Sequence, residues 1–145
     1  MDKKTGMGLL AARLGLGAIF LVSGLGKLAA WSGTAAYAAS KGVPPILLAG
    51  ATALELFGAL SLLLGYKARL GAAALVAFLV PVTLVFHAFW AAQAADAQMQ
   101  TVQFLKNVAI GGGLVAILAA GPGAVSVDAL RRRARPVGTP AQAAA

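Results

Sequence analysis

The sequence contains no cysteine, and His87 is its single histidine. Without cysteine, one chain cannot form disulfides, iron–sulfur clusters or thiolate zinc sites. A haem held by two histidines of the same chain is excluded as well, and we expect no metal site. Any redox role therefore depends on a bound organic cofactor or on a partner protein.

Charge is also scarce, because charged residues make up 11% of the chain and hydrophobic residues 60%. Soluble domains carry charge on about a quarter of their residues. A chain of 145 residues has too much surface for its volume to hide this excess of apolar side chains from water. We therefore predict an integral membrane protein whose apolar faces are solvated by lipid.

Four windows are long and apolar enough to cross the hydrocarbon core, which takes a helix of about 20 residues. They cover residues 7–30, 44–64, 70–92 and 104–120. The predicted fold is therefore all-α, a four-helix membrane bundle. The segments between the windows, residues 31–42, 65–69 and 93–103, are predicted as loops. The first is small and polar, the second is a short basic turn that begins with glycine, and the third is polar.

Most lysines and arginines cluster on one side of this bundle. They fall in the N-terminus, the second loop and the C-terminal segment, as Lys3, Lys4, Lys67, Arg69, Arg131, Arg132, Arg133 and Arg135. Short basic connections are retained in the cytoplasm. Both termini are therefore predicted to be cytoplasmic, in a bacterial inner membrane.

The basic residues lie at the chain ends and not along a groove interleaved with aromatic residues, so we expect no nucleic-acid partner. Residues 1–128 are predicted to form the membrane domain. Residues 129–145 are predicted to form a basic, disordered tail, because alanine, proline and glycine dominate its last part. Its arginines are expected to attract anionic lipids.

The N-terminus has an alternative interpretation as a secretory signal, because Lys3 and Lys4 precede an apolar run and Ala36-Tyr37-Ala38 is similar to a cleavage site. The apolar run is longer than the usual signal core of about 7–15 residues. We therefore favour a first membrane-spanning helix.

Arg13, Lys27, Glu55, His87 and Lys106 are the ionisable side chains within the predicted spans. A charge at mid-helix costs at least about 2.5 kcal/mol on insertion, so each one needs an explanation. Arg13 and Lys27 are the two basic residues of the first span. The alternative to a role inside the bundle is that their side chains snorkel to the lipid headgroups.

On the first helix, Arg13, Gly17, Phe20, Gly24 and Lys27 recur at intervals of four and three residues. They share one face, which we predict to pack against protein, since glycine allows a neighbouring helix to approach closely. Arg13 is interpreted as a structural polar residue of this face.

Glu55 falls at the middle of the second span, and Ala51, Gly58 and Ala59 share its face. It is either neutral through desolvation or ionised and paired with a lysine, Lys27 or Lys106. A purely structural hydrogen bond between helices is the alternative to a functional role.

A polar pocket roofed by aromatic residues is predicted in the outer half of the bundle. His87 is placed on the third helix among aromatic residues, where an interfacial aromatic belt is the alternative. Candidate ligand-binding residues of the pocket are Lys27, Glu55, His87, Trp90, Lys106 and Asn107.

These residues, read in order, resemble the DoxX family of small four-helix membrane proteins. The resemblance covers residues 9–128. Its matching elements are Arg13, Gly17, Phe20, Ser23-Gly24-x-x-Lys27-Leu28, Gly42-x-Pro44, Glu55-x-x-Gly58, Leu62 to Gly65, His87-x-Phe89-Trp90, Phe104-Leu105-Lys106-Asn107, Gly121-Pro122-Gly123 and Ser126-x-Asp128.

The resemblance implies a four-helix membrane bundle. Some DoxX-like proteins are linked to thiosulfate–quinone oxidoreductase, to membrane complexes that defend against oxidants, or to resistance against quinone-like compounds. The family offers no agreed catalytic residue to carry over to this chain.

The favoured hypothesis is a membrane subunit of an oxidoreductase or of an oxidant-defence system. It would hold a quinone or similar lipophilic molecule in the polar pocket, with no intrinsic cofactor, and receive electrons from a redox partner protein. By itself it would be at most a non-catalytic or quinone-interacting subunit. One alternative is a small-molecule carrier or exporter, which would act as a homo-oligomer because four helices are few. The other alternative is a scaffold for soluble partners.

The predicted topology is tested with reporter fusions. Fusions after residues 67 and 135 are expected to report the cytoplasm, because the basic segments are retained there. Fusions near Ser40 and Asp96 are expected to report the outside. An outside signal after residue 67 or after residue 135 would contradict the four-span orientation.

Overall fold

The computed structural model describes residues 3–134, and helices account for most of them. The elements are α1 (Lys3–Ala29), α2 (Trp31–Ser40), α3 (Pro45–Leu64), α4 (Ala68–Phe86), a short 3-10 turn (Phe89–Ala91), α5 (Ala94–Ala120) and α6 (Val127–Arg133). The described part of the chain contains no strand, which confirms the all-α prediction.

Four helices have the length and hydropathy of membrane spans, as predicted. They occupy Lys4–Ala29, Pro45–Leu64, Ala68–Ala91 and Ala94–Ala120. The chain therefore folds as an integral membrane bundle of α1, α3, α4 and α5.

The four spans pack in a ring, in which α1 lies along α3, α3 along α4 and α4 along α5. The fourth side of the ring, between α5 and α1, has the least extensive contact. The core is made by residues from all four spans, including Phe20, Leu62, Leu75 and Leu114. Only Leu114 and Ile117 of α5 are fully buried, so the part of α5 before Leu114 lies at the periphery.

The two ends of the bundle differ in chemistry. We call the end that holds Lys4, the turn 65–67 and α6 the basic end. The opposite end holds α2 and the Phe89–Ala91 turn, and we call it the aromatic end.

Two predicted loops are helical in the structure. Residues 31–40 form α2 between the first two spans, and α5 begins at Ala94, so the prediction of a loop over residues 93–103 is wrong. Alanine and glutamine, which are frequent in this segment, are good helix formers. Asp96 in the first turn of α5 also interacts favourably with the helix dipole.

The third span extends over Ala68–Ala91, close to its predicted end at residue 92, although the helix α4 itself ends at Phe86, where His87 caps it. The chain turns there because Phe89 and Trp90 pack against Phe104 of α5. The predicted disordered tail begins too early, since α6 continues to Arg133. Residues 135–145, including Arg135, lie outside the described residues.

The small residues on α1 and α3 permit close packing, as the sequence pattern predicted. Arg13, Gly17, Phe20 and Gly24 are buried on one face of α1. A Cβ added at Gly58 of α3 would overlap the side chain of Leu75 and lie 3.1 Å from the backbone oxygen of Gly71 on α4. Glycine is therefore the residue that fits between α3 and α4 at this point.

Replacing Gly58 by alanine is expected to lower the free energy of unfolding by about 1–3 kcal/mol, because overpacking forces the helices apart. The matched control is Gly112→Ala on α5, where no atom lies within 4 Å of the added Cβ. Reversible unfolding in detergent, followed by circular dichroism, measures both. Equal stability of the Gly58→Ala protein and the wild type would contradict the close contact of α3 with α4.

Candidate functional site

Lys27 and Glu55 form an ion pair between α1 and α3. The Nζ of Lys27 lies 2.8 Å from Oε2 of Glu55. The Glu55 side chain is 2% exposed and that of Lys27 is 23% exposed. The prediction that Glu55 pairs with a basic residue therefore has its partner in Lys27, and Lys106 makes no such contact.

Two further groups hold the Lys27 ammonium. Its Nζ donates a hydrogen bond to Ser23 Oγ, at 2.6 Å, one turn earlier on α1. It also lies 5.8 Å from the centre of the Phe78 ring of α4, within the range of a cation–π interaction. The ammonium thus contacts α1, α3 and α4, and three of the four spans meet at one charge.

Asn107 and Thr83 form a second polar contact, between α5 and α4. The side-chain amide of Asn107 donates to Thr83 Oγ1 at 2.9 Å. The Thr83 hydroxyl in turn donates to the backbone oxygen of Leu79, at 2.6 Å. Asn107 therefore links α5 to α4 through one hydrogen bond.

An open groove of 210 Å³ lies between α4 and α5 around this contact. Thr83 and Asn107 are its polar lining residues, and aliphatic residues and Phe104 form the rest of its wall, namely Val76, Leu79, Val80, Leu84, Val108 and Gly111. The groove is therefore an apolar surface depression with one amide and one hydroxyl in it.

The other three predicted pocket residues lie toward the aromatic end. His87 Nδ1 is 3.0 Å from Oε1 of Gln100 on α5. Trp90 is 59% exposed and packs edge-on against Phe89 and Phe104. Lys106 is exposed and donates to Gln103 Oε1 one turn away on the same helix.

Among the six predicted pocket residues, a direct contact within the described chain joins Lys27 to Glu55. Asn107 lines the α4–α5 groove, and Phe104 connects this groove to the aromatic cluster of Phe89 and Trp90. Lys106 and His87 contact glutamines instead of the other predicted residues. The polar residues thus form two separate sites, the Lys27–Glu55 pair and the Asn107 groove.

Two models of known protein families match the chain. The DoxX family model matches residues 8–88. The chain belongs to the DoxX family. A model of the SURF4 family matches residues 52–134, so that the two matches overlap in α3 and α4.

Two curated relatives of this DoxX-family chain come from Escherichia coli strain K12. Inner membrane protein YqjF is 32% identical over 130 residues, which cover 90% of this chain and 96% of the relative. Inner membrane protein YphA is 31% identical over 122 residues, which cover 83% and 87%. No solved structure matches the chain. The relatives and the four spans confirm the predicted multi-pass location in an inner membrane.

Arg13 joins three parts of the DoxX-family bundle at the basic end, although it is 1% exposed. One guanidinium nitrogen donates to the backbone oxygen of Leu62 at 2.7 Å, and another to that of Val125 at 2.5 Å. Leu62 lies in the last turn of α3, where carbonyl groups lack partners within the helix. The Leu62 oxygen also accepts from the Gly65 nitrogen at 3.1 Å, so Arg13 adds a second hydrogen bond at this helix end and links it to the loop that precedes α6.

Asp128 is one of the residues that carry the family resemblance, but the sequence alone gives it no physical role. Its carboxylate accepts hydrogen bonds from the backbone nitrogens of Lys67, at 2.9 Å, and Ala68, at 3.2 Å. These nitrogens begin α4, so Asp128 of α6 caps another helix across 60 residues of sequence. The sequence does show a carboxylate shortly after the Gly-Pro-Gly break that ends a helix. Residue spacing, however, does not reveal which backbone groups this carboxylate binds.

A double-mutant cycle tests the ion pair. Glu55→Leu and Lys27→Met are each expected to lower the free energy of unfolding by about 1–3 kcal/mol, below the value for fully buried pairs because Lys27 keeps some exposure. The double variant is expected to be more stable than the sum of the single losses predicts. Asp96→Ala, which removes an exposed carboxylate of α5, is the control and is expected to cost no more than its interaction with the helix dipole, about 0.3–1 kcal/mol. Strictly additive losses would show that the two side chains do not interact.

Proposed function

We propose that this DoxX-family protein binds a quinone, or a similar lipophilic molecule with carbonyl groups, in the groove between α4 and α5. In this proposal it is a membrane subunit of an oxidoreductase or of an oxidant-defence system. The observation that carries the proposal is the Asn107 amide, which lies beside Thr83 in an otherwise apolar, open groove at the surface of the bundle.

The orientation of the Asn107 amide follows from its hydrogen bonds. The Thr83 hydroxyl uses its one proton on the Leu79 oxygen, so its oxygen must accept from Asn107. The nitrogen of Asn107 therefore points at Thr83, and one of its two N–H groups is used there. The second N–H and the side-chain oxygen have no partner among the described residues.

These two free groups suit both redox states of a quinone. The carbonyl oxygen of a quinone accepts a hydrogen bond, which the second N–H of Asn107 can donate. The hydroxyl of a quinol donates one, which the amide oxygen can accept. An amide binds both forms without a change in its own protonation, as a site for reversible redox chemistry requires.

The apolar lining supports the same class of ligand. Aliphatic side chains from both helices form the wall, and Phe104 offers an aromatic ring at the level of the amide. Phe104 is held edge-on by Phe89 and Trp90, so its ring has neighbours on the side of the aromatic end. Ligand sites are typically apolar with a few polar groups that fix orientation.

The electrons would come from elsewhere. The proposed subunit supplies a binding groove and hydrogen bonds, and a redox partner protein would reduce or oxidise the bound molecule. The aromatic end lies beside the groove, since Phe104 belongs to both.

The Lys27–Glu55 pair favours a second candidate function, a small-molecule carrier. Charges inside a span commonly mark the path of an ion or substrate. The Lys27 ammonium contacts three spans. If it no longer paired with Glu55, the packing of all three spans would change. A chain with four spans would carry a substrate as an oligomer.

The quinone proposal is tested by the amount of quinone that co-purifies with the protein. The full chain is extracted in mild detergent from quinone-containing membranes, and quinone per protein is measured by mass spectrometry. Asn107→Leu is expected to retain about tenfold less quinone, since one or two hydrogen bonds of about 1 kcal/mol each are lost. The control is Gln103→Leu, an amide on the same helix that does not line the groove.

Equal quinone retention by Asn107→Leu and wild type would place the ligand elsewhere. A wild-type protein that retains no quinone contradicts the proposal altogether. A stoichiometric soluble partner in the same preparation, without quinone, would instead support the scaffold hypothesis.

A further inference from the structure

We infer that the basic end carries a folded binding surface for anionic phospholipid headgroups. We call it the headgroup surface and define it by Tyr66 and Lys67 of the α3–α4 turn and by Arg131, Arg132 and Arg133 of α6. These basic side chains are exposed. The inference is independent of the proposed quinone groove, which lies between α4 and α5.

The position of α6 is fixed by hydrogen bonds at its beginning. Ser126 caps it, because its hydroxyl oxygen accepts from the Ala129 nitrogen at 3.1 Å. The Asp128 nitrogen donates to the Gly65 oxygen at 3.0 Å, and its carboxylate accepts from Lys67 and Ala68. The three arginines in the last turn of α6 therefore have a defined place next to the α3–α4 turn.

Two cations share the ring of Tyr66. The Cζ atom of Arg131 lies 5.0 Å from the ring centre, and the Nζ atom of Lys67 lies 5.8 Å from it. Two positive charges that contact the same ring repel each other, and an anion bound beside them would reduce this repulsion. Asp128 is held at the beginning of α4 by its backbone hydrogen bonds and forms no ion pair with Lys67 or Arg131 in the described chain.

Apolar side chains accompany the basic ones. Leu130 on α6 and Val125 just before it are exposed, although both are hydrophobic. A short helix that exposes leucine beside arginines is typical of a segment in the membrane interface, with its apolar side in the acyl chains and its charges among the phosphates. The surface also lies where α3 ends and α4 begins, at the level where spans leave the hydrocarbon core.

These features favour a lipid over a soluble acidic protein as the partner. With a soluble partner, Leu130 would stay exposed to water or would need an apolar contact on that partner. The arginines next to Leu130 would then have to lose water at the same contact. Anionic headgroups satisfy the arginines while the acyl chains cover the leucine. The cytoplasmic leaflet, where the Lys and Arg distribution predicts this end to lie, carries anionic lipids.

The test measures lipid selectivity at the protein surface. The full chain is reconstituted in phosphatidylcholine bilayers with a trace of spin-labelled phosphatidylglycerol or spin-labelled phosphatidylcholine. Electron paramagnetic resonance then gives the relative association of the two labelled lipids. The wild type is expected to prefer phosphatidylglycerol, and R131Q/R132Q to reduce this preference by about threefold or more. The matched control K41Q/K106Q removes two positive charges at the aromatic end and should keep it.

Asp128→Ala distinguishes a folded surface from a merely basic tail. The substitution removes a negative charge, so net charge alone would raise the preference for phosphatidylglycerol. Loss of the cap that holds α6 should lower the preference instead, because Arg131 would leave its place beside Tyr66. Circular dichroism and size-exclusion chromatography check that the variant is folded and monodisperse.

Each result decides the inference. It is supported if R131Q/R132Q and Asp128→Ala both reduce the preference while K41Q/K106Q keeps it. An unchanged preference in R131Q/R132Q overturns it, as does an equal loss in the control. An unchanged or raised preference in Asp128→Ala overturns the folded surface. A wild type without preference for phosphatidylglycerol overturns the lipid as partner and directs attention to a soluble acidic protein.

Discussion

Hydrocarbon offers no hydrogen-bond partner, and this constraint governs the interior of the bundle. Every polar group inside a span must find its partner on another element or on its own backbone. Arg13 bonds to carbonyl groups of α3 and of the loop before α6, and Lys27 bonds to Glu55 of α3. The polar contacts of α1 are therefore the ones that fix its position against α3. Glycines at the same interface allow the backbones to approach closely enough for these bonds.

A polar group of a span that lacks a hydrogen-bond partner within the described chain is available to bind a ligand. Asn107 uses one N–H on Thr83 and presents the rest of its amide to an open, largely apolar groove. In hydrocarbon, such free groups are costly unless a ligand or another polar molecule completes them. The Lys27–Glu55 pair differs, because the charge of each side chain is compensated by the other. The groove is therefore the better candidate for ligand binding, and the ion pair is the better candidate for holding the spans together.

The sequence predicted the four spans and the packed face of α1 because both depend on local features, hydropathy and helical periodicity. It also predicted Lys27 as one of two possible lysine partners of Glu55. It failed where structure depends on contacts between distant residues. The order of α6, for example, rests on the bonds of Asp128 to α4. The helical start of α5 is different, because its alanines and glutamines are a local signal that the loop prediction overlooked. The single polar pocket expected from helix faces and depths is divided into two sites in the structure, since neither faces nor depths specify which helices are neighbours.

The central claim is that a quinone occupies the α4–α5 groove at Asn107. Photoaffinity labelling with an azido-quinone, followed by mass spectrometry of the labelled peptides, tests it most directly. The account predicts that label attaches to residues lining the groove, such as Phe104 and Val108, and that excess unlabelled quinone prevents it. Competable labelling of α1 and α3 around Lys27 and Glu55, with none in the groove, would contradict the account.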